Sequence, residues 1–367
     1  MIPSLAHGGA EKVLVNLVNN LNKSRFDVTV LALFDGGVNK QFLNPWIHYK
    51  ACMPHSFRGN TYFFKLFSPE KLYDIFISKH FNVDIVISYL EGSTARIVSG
   101  CSDKNVKLVS WIHSEQFNLK ILSKAFRSAD EAIQCYTRFN KIICVSESIQ
   151  EDFSKILHHK ENCDVLYNTI ETDRILKLSL KPAPELKDDC KIRIIAVGTL
   201  KKIKGFERLL RIIKKLTKEK YPVHLYILGK GPQYGLLKKY INDNNLNDSI
   251  TLLGYDTNPY RIVSKCDLFV CSSFSEGFST ATMEALIVGT AICTVDVPGM
   301  KEILGNSEYG LIVKNSEDAL YNGIKRLIID KHLREIYAKK AKKRAKYFST
   351  ESTVAAVEKM FIKLGDS

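Results

Sequence analysis

Residues 271–289, C-S-S-F-S-E-G-F-S-T-A-T-M-E-A-L-I-V-G, decide the fold. They follow the short apolar run L-F-V and predict a strand, a sharp turn and a helix. Gly277 supplies backbone freedom for the turn. Ser279 or Thr280 can cap the helix, and Gly289 ends it. A strand that runs directly into a helix is typical of an α/β fold.

Two carboxylates flank this turn, Glu276 before the cap and Glu284 inside the helix. We expect the N–H groups of Phe278, Ser279 and Thr280 at the helix N-terminus, where backbone donors and the helix dipole favour an anion such as a diphosphate. Carboxylates accept hydrogen bonds from sugar hydroxyls. The combination indicates a nucleotide-sugar site, although either carboxylate taken singly is more often a solvated surface residue.

This element resembles the E-x7-E motif of retaining GT-B glycosyltransferases, and the surrounding pattern is similar to glycosyltransferase family 4. Three further motifs stand in the order of that family: G-G-A-E-K at 8–12, V-G-T-L-K-K-I-K-G-F at 197–206 and L-G-K-G-P at 228–232. The resemblance covers nearly the whole chain. It implies an α/β fold of the GT-B type, with two Rossmann-like domains whose parallel sheets face each other across a cleft.

The length of 367 residues also favours two domains. We expect an acceptor-side Rossmann-like domain at 1–168, a linker at 169–189 and a nucleotide-sugar-binding Rossmann-like domain at 190–346. The resemblance implies that a last helix, at 347–367, returns to the first domain. Apolar runs predict strands at 28–34, 84–89, 108–112, 142–145, 164–166, 192–197, 223–228, 250–253, 291–295 and 311–313, and helical periodicity predicts helices at 69–80, 115–134 and 206–218.

The N-terminus departs from the expected pattern. A glycine loop that opens the first helix of an open α/β domain should follow a first strand. Only Met1–Leu5 stand before the loop region here, and Pro3 interrupts them. We therefore expect the first strand to be truncated, through a start site placed late or a genuine truncation.

The net charge of +14 indicates acidic partners. Residues 55–81 interleave aromatic and basic side chains, which suits an anionic membrane surface; the alternative is that these aromatic residues belong to the core. No nucleic-acid-binding motif accompanies the charge, so we expect no nucleic-acid partner.

Other features of the composition concern location and cysteine chemistry. There is no apolar run of eighteen residues and no signal-peptide pattern. We expect a cytoplasmic protein, peripheral on the inner face of the cell membrane. The nine cysteines are scattered singly, which indicates reduced thiols rather than disulfides or a zinc site.

The resemblance implies three catalytic residues. Glu276 would bind hydroxyls of the donor sugar beside the reacting centre, and Lys204 would bind the diphosphate. His113, at the end of a predicted strand, matches a family histidine that faces the donor sugar. Glu284 would accept hydrogen bonds from the ribose hydroxyls.

The resemblance extends to other donor-binding positions. Besides Lys204, Glu276 and Glu284, they are Gly8, Gly9, Thr199, Gly229, Gly231, Tyr255, Gly277, Phe278, Ser279 and Thr280. Thr199 stands where the family usually has an arginine, and threonine cannot make a bidentate guanidinium contact. Either Lys201 or Lys202 substitutes, or Lys204 and the helix N-terminus hold the diphosphate. Lys230 also departs from the acidic residue of many relatives, and Tyr255 lies either near the base or elsewhere as an ordinary tyrosine.

The function implied is retaining, same-face transfer of a sugar from a nucleotide-diphosphate sugar, which we expect to be a UDP-sugar. The acceptor would be a glycan or lipid-linked saccharide in the synthesis of a surface polysaccharide such as capsule or lipopolysaccharide. No D-x-D sequence occurs, so we expect neither a metal nor another cofactor. Two alternatives are another GT-B enzyme, such as a nucleotide-sugar epimerase, and a non-catalytic binding protein with this fold.

Overall fold

The computed structural model describes residues 1–6, 8–116, 118–157, 162–187 and 191–366. The chain divides into two compact units. Unit 1 contains Met1–Thr169 and the residues from Thr350 onward, and unit 2 contains Ile170–Ser349. Each unit is a Rossmann-like half with parallel strands and intervening helices, so the predicted α/β fold class is confirmed.

The strands of unit 1 form two parallel groups, β1 with β2 and β3 to β6 in sequential order. They are β1 (Thr29–Phe34), β2 (His48–Met53), β3 (Ile85–Ser88), β4 (Lys107–Ile112), β5 (Lys141–Cys144) and β6 (Cys163–Val165). The stub Met1–Pro3 lies between the groups. Ile2 N donates to Leu31 O at 2.9 Å, and Tyr89 N donates to Met1 O at 2.9 Å. The stub therefore fills the place expected for a first strand, and the strand order reverses on its two sides.

The edge strand β2 was not predicted. Its sequence, H-Y-K-A-C-M, lacks the apolar alternation of a half-buried strand, and its residues are exposed or only partly buried. It pairs in parallel with β1 from Thr29 opposite His48 to Phe34 opposite Met53. Backbone pairing with a buried neighbour, rather than side-chain burial, accounts for this strand.

The helices of unit 1 before the chain enters unit 2 are mostly short. They are α1 (Gly9–Asn20), α2 (Asn60–Lys65), α3 (Pro69–Tyr73), α4 (Ser93–Val98), α5 (Leu119–Leu122), α6 (Ala129–Thr137) and α7 (Glu147–Leu157). The predicted helix at 69–80 is α3 followed by a π-helical turn, Asp74–Ser78. The single helix predicted at 115–134 is wrong. Ser128 accepts a hydrogen bond from Glu131 N at 3.1 Å, and this cap begins α6 as a separate helix.

The strands of unit 2 form one parallel sheet with the order β12-β11-β10-β7-β8-β9. They are β7 (Ile192–Val197), β8 (Val223–Leu228), β9 (Ile250–Gly254), β10 (Leu268–Cys271), β11 (Ala291–Val295) and β12 (Leu311–Val313). The order reverses between β7 and β10, which pair directly. Open α/β sheets bind ligands beyond the carboxyl ends of the strands at such a switch point.

The helices of unit 2 begin inside the expected linker. They are α8 (Thr172–Ser179), α9 (Phe206–Lys218), α10 (Tyr234–Asp243), α11 (Tyr260–Val263), α12 (Thr280–Val288), α13 (Met300–Leu304), α14 (Glu317–Ile329) and α15 (Lys331–Ala345). Helix α8 packs against α11 and α12, and Asn258 Nδ2 donates to Leu178 O at 3.1 Å. The linker prediction therefore needs correction up to residue 187, because most of that stretch is folded against unit 2. Residues 188 and 189 lie outside the described residues.

The last helix, α16 (Thr350–Gly365), packs on unit 1. Asn22 N donates to Glu358 Oε1 at 2.7 Å, and the rings of Phe26 and Phe361 meet edge to face at 5.8 Å. The chain thus leaves unit 1 after Thr169 and returns to it at Thr350.

The aromatic stretch 55–81 divides into a buried part and an exposed part. Phe64 and Tyr73 belong to the core of unit 1, as the core interpretation predicts. Tyr62 and Leu66, in contrast, are 76% and 73% exposed. None of the described helices combines the length and the apolar character needed to cross a membrane.

Candidate active site

Two predicted catalytic residues of unit 2 form an ion pair. Lys204 Nζ lies 2.7 Å from Glu276 Oε1 and 2.8 Å from Glu276 Oε2. The Glu276 side chain is 9% exposed and that of Lys204 is 28% exposed. Ser273 Oγ also donates to Glu276 Oε1. A cation that suits a phosphate and a carboxylate that suits a sugar hydroxyl are therefore held side by side.

The sheet brings these two residues together although they are far apart in sequence. Lys204 ends a 3-10 turn, Lys202–Lys204, in the loop after β7, and Glu276 lies in the loop after β10. Gly205 has φ +65°, and a Cβ there would lie 2.0 Å from Ser272 O. Glycine is thus required for the β7 loop to approach the β10 loop closely enough to form the pair.

Helix α12 follows this pair. Ser279 caps it, accepting a hydrogen bond from Thr282 N at 3.3 Å, and Gly289 ends it in the left-handed region at φ 79°. Both features agree with the sequence prediction. Phe278 is buried and packs edge to face on Phe348, with ring centroids 5.8 Å apart. The backbone of 278–280, where we predicted an anion site, is therefore anchored at the N-terminal end of α12.

Three further predicted residues lie in α12 or in the turn before it. Thr280 is the first residue of α12, and Glu284 lies in its second turn with 7% exposure. Gly277 approaches Gly299 so closely that a Cβ on Gly299 would lie 2.6 Å from Gly277 O. The loop after β11 therefore supports the turn between β10 and α12.

Sequence reasoning missed Arg208, which fixes the loop after β10. Its guanidinium donates to Ser272 O at 2.8 Å, Ser273 O at 2.9 Å and Asn315 Oδ1 at 2.8 Å. The side chain is 2% exposed, and burial lowers the pKa of Arg208. The sequence contained one indication that Arg208 is buried. Residues four apart lie on the same face of a helix, and Ile212, four residues after Arg208, is a core residue.

The loops after β7 and β8 are joined by their backbones. Leu200 N donates to Lys230 O at 2.9 Å, next to the predicted Thr199. A Cβ on Gly229 would lie 1.9 Å from Gly198 O, and one on Gly231 would lie 2.5 Å from Leu200 O. These glycines therefore allow the two loops to pack, in addition to any approach to a nucleotide.

Tyr255 follows β9 on the same side of the sheet as these loops. Its side chain is 38% exposed, and Lys230 Nζ lies 5.9 Å from the centre of its ring. Lys230, which stands where many relatives have an acidic residue, therefore lies over an exposed aromatic face.

Unit 1 carries the other predicted residues, His113, Gly8 and Gly9. Gly8 is the N-cap of α1 and Gly9 is its first residue. A Cβ on Gly8 would lie 1.7 Å from Glu11 Oε2, so the Glu11 carboxylate occupies the space beside this predicted donor-binding glycine.

His113 directly follows β4. Its ring packs on Tyr89 at 4.8 Å between centroids, and its Nε2 is buried without a hydrogen-bond partner among the described residues. Burial lowers the pKa of His113 to about 3. The imidazole is therefore neutral near pH 7, with one ring nitrogen that a ligand could use.

A carboxylate that the sequence did not single out holds the loop of His113. Glu91 Oε2 accepts a hydrogen bond from His113 N at 3.1 Å. Glu91 Oε1 accepts from Gln116 Nε2 at 3.1 Å and from Ser114 Oγ. The loops after β3 and β4 are thus tied together by one side chain.

Within the described ranges, no group of three or more histidine, cysteine, aspartate or glutamate residues could hold a metal ion.

Comparison with known proteins places this geometry in a family. Residues 7–174 match the model of Glycosyltransferase Family 4, and residues 180–344 match the model of Glycosyl transferases group 1. The chain is 29% identical over 361 residues to the Campylobacter jejuni N-acetylgalactosamine-N,N'-diacetylbacillosaminyl-diphospho-undecaprenol 4-alpha-N-acetylgalactosaminyltransferase. That match covers 95% of this chain and 94% of the relative.

Solved structures with low sequence identity share the fold. Anabaena Alr3699/HepE, crystallised with UDP, has a TM-score of 0.77 at 18% identity and covers 99% of this chain and 98% of its own. Sucrose-phosphate synthase of Thermosynechococcus elongatus has a TM-score of 0.79 at 16% identity, covering 99% of this chain and 95% of its own. The matches to both halves, taken with this architecture, show that the chain is a GT-B glycosyltransferase of the family 4 type.

Proposed function

We propose that this glycosyltransferase is a retaining enzyme that moves a sugar from a UDP-sugar to a lipid-linked saccharide in the assembly of a cell-surface glycan. The observation that carries the proposal is the Lys204–Glu276 pair at the switch point of unit 2, beside the N-terminal end of α12. A cation, a helix N-terminus and a buried carboxylate together suit a sugar joined to a diphosphate.

The proposed reaction breaks the bond between the anomeric carbon and the diphosphate oxygen, and forms a bond from that carbon to the acceptor oxygen on the same face. Negative charge builds on the leaving diphosphate, where the Lys204 ammonium and the N–H groups at the start of α12 stabilise it. The leaving phosphate takes the proton of the acceptor hydroxyl. Glu276 orients the donor sugar through its hydroxyls, and Glu284 accepts from the ribose.

Lys204 and Glu276 exchange partners in this scheme. Without donor, each satisfies the other at 2.7–2.8 Å. On binding, the diphosphate draws Lys204 and the sugar hydroxyls draw Glu276, so neither charge is left unpaired at a partly buried position. His113, neutral because burial lowers its pKa to about 3, would hydrogen-bond the sugar without adding charge.

The names of similar proteins support the choice of substrates. The Campylobacter relative is named for a saccharide on diphospho-undecaprenol and for an alpha linkage. HepE is described in complexes with UDP and with UDP-glucose, and Staphylococcus aureus TarM in complex with UDP. We propose a UDP-sugar donor and a polyprenyl-diphosphate-linked acceptor on this basis, with no metal required.

The test is a thermal-shift panel of UDP-, GDP- and ADP-sugars, followed by transfer with the stabilising donor in the presence of EDTA. We expect stabilisation by a UDP-sugar that Glu276→Ala weakens, because the carboxylate would no longer hold the sugar hydroxyls. From an α-configured donor, NMR should show an α-linked product. A β-linked product would contradict retention, and loss of transfer in EDTA would contradict the metal-free proposal.

Membrane association is the second part of the proposal, and it depends on the exposed side of α2 and on Leu66, the residue that follows this helix. Tyr62 and Leu66 are the most exposed apolar residues of segment 55–81, and Phe63 is 41% exposed. Lys65 Nζ lies 5.6 Å from the centre of the Tyr62 ring. An aromatic surface with basic neighbours suits the interface of an anionic bilayer.

We expect the double variant Tyr62→Ser, Leu66→Ser to bind vesicles containing phosphatidylglycerol at least about tenfold more weakly than the wild type, since two apolar side chains would no longer enter the interface. Vesicle sedimentation measures this. Leu180→Ser is the matched control, because Leu180 is 82% exposed in unit 2. Equal binding of the wild type to neutral and anionic vesicles would contradict the electrostatic part.

A further inference from the structure

Unit 1 contains a cavity of about 550 Å³ at the edge where the stub, β1 and β3 end. Ser4, Phe34 and Glu91 line it from these three segments. The strand order of unit 1 reverses at the stub, so this edge is a switch point like that of unit 2. The volume lies within the range of about 300–1,000 Å³ that is typical of small-molecule sites.

The lining of this cavity suits a sugar, because it combines apolar surface with polar and charged side chains, Asp35 and Lys124 among them. Phe34 and Ala125 contribute apolar surface, while Asn60, Ser93 and Glu91 contribute hydrogen-bonding groups. A pyranose ring presents the same combination, with apolar C–H faces and a rim of hydroxyls. All the residues that line this cavity belong to unit 1, the unit that the family resemblance assigns to the acceptor.

Glu91 contributes a firmly held carboxyl group to the cavity wall, which also contains the charged side chains of Asp35 and Lys124. Donors from the loop after β4, namely His113 N, Gln116 Nε2 and Ser114 Oγ, hold its carboxylate in one position. Burial raises the pKa of Glu91, and these hydrogen bonds oppose that effect only in part. A carboxylate that is already oriented and poorly solvated loses little when it accepts a further hydrogen bond from a ligand hydroxyl.

We propose that Glu91 is the residue with which unit 1 recognises the acceptor, its carboxylate accepting a hydrogen bond from a hydroxyl of the saccharide bound in this cavity. The inference rests on the proposed function. It deepens that function by naming the side chain of unit 1 that binds a hydroxyl of the acceptor.

The test compares Glu91→Gln with the wild type, using a UDP-sugar donor and, as acceptor probe, the disaccharide diphospho-undecaprenol named for the Campylobacter relative. We expect the acceptor KM to rise about 10- to 100-fold, because a charged hydrogen-bond acceptor is lost. The donor KM and the slow hydrolysis of donor without acceptor should change several-fold less than the acceptor KM, because the carboxylate reaches the donor site only through the loop of His113. Deoxygenation of the recognised hydroxyl should weaken the acceptor for the wild type but not for the variant.

Two comparisons separate recognition from support of the loop. Ser114→Ala removes a donor to Glu91 but keeps the carboxylate, and should change the acceptor KM less than about threefold. Glu70→Gln is the charge-matched control, since Glu70 is a surface carboxylate of unit 1 paired with Arg138. A Ser114→Ala effect as large as that of Glu91→Gln, or an equal loss of donor hydrolysis, would overturn the proposal. Should Glu91→Gln not fold, Glu91→Asp withdraws the carboxylate by one methylene and serves in its place.

Failure of the proposed function would be visible separately. If the wild type transfers no sugar from any donor, equilibrium binding of the same acceptor probe is measured instead. Binding by the wild type that is at least tenfold weaker in Glu91→Gln would uphold the assignment. Equal binding by the two proteins would overturn it.

Discussion

Replacing Lys204 with alanine should lower kcat for sugar transfer by about two to three orders of magnitude. Lys204 is the cation within 2.8 Å of both Glu276 oxygens, and the proposed reaction requires it where charge develops on the leaving diphosphate. The donor KM should rise far less than kcat falls, because this interaction is strongest in the transition state. Steady-state kinetics at saturating acceptor would measure both constants.

The neighbouring lysines provide the comparison for this prediction. Lys201 and Lys202 are exposed on the same loop, and either could replace the arginine that the family usually has at Thr199. If Lys204 binds the diphosphate, Lys201→Ala and Lys202→Ala should each lower kcat less than about tenfold. A loss at Lys201 or Lys202 equal to that at Lys204 would move the phosphate contact to that residue.

The second large effect concerns stability. Arg208→Ala should destabilise unit 2 by about 3 kcal/mol or more, because two buried carbonyl groups and the Asn315 amide lose their charged donor. The same change would release the loop that carries Ser273 and Glu276, so transfer activity should fall even where the protein remains folded.

The chain offers a matched control and a way to assign the effect. Arg211 lies on the same helix but pairs with Glu317 at the surface, where both side chains are at least 40% exposed, so Arg211→Ala should cost less than about 1 kcal/mol. Both tryptophans, Trp46 and Trp111, lie in unit 1. Urea unfolding followed by circular dichroism should shift for Arg208→Ala while the tryptophan transition stays in place. Coincident shifts of both signals would contradict a local role.

The sequence predicted best what is determined locally. The cap at Ser279 and the end at Gly289 depend on neighbouring residues alone, and both were confirmed. The predicted roles of Lys204 and Glu276 are still proposals, but their proximity follows from the pairing of β7 with β10. The alternation of strands and helices along the sequence predicts a parallel sheet, but it does not determine which strands are neighbours and therefore which loops meet.

What was missed depends on contacts between distant residues. Arg208 resembles an ordinary helical arginine until β10 brings Ser272 and Ser273 to its guanidinium. Glu91 has no motif of its own, and its partners at 113–116 come from the loop after the next strand. The exposed strand β2 lacked an apolar pattern because it is stabilised mainly by backbone pairing with β1.

The return of α16 to unit 1 has a consequence for biosynthesis. Because α16 follows unit 2 in the chain and packs on unit 1, residues 170–349 form an insertion within that unit in covalent terms. A ribosome therefore delivers all of unit 2 before it delivers α16, which packs on unit 1. Unit 2 can fold as one continuous stretch during translation, whereas the N-terminal unit must wait with the surface of α1 that α16 covers still open.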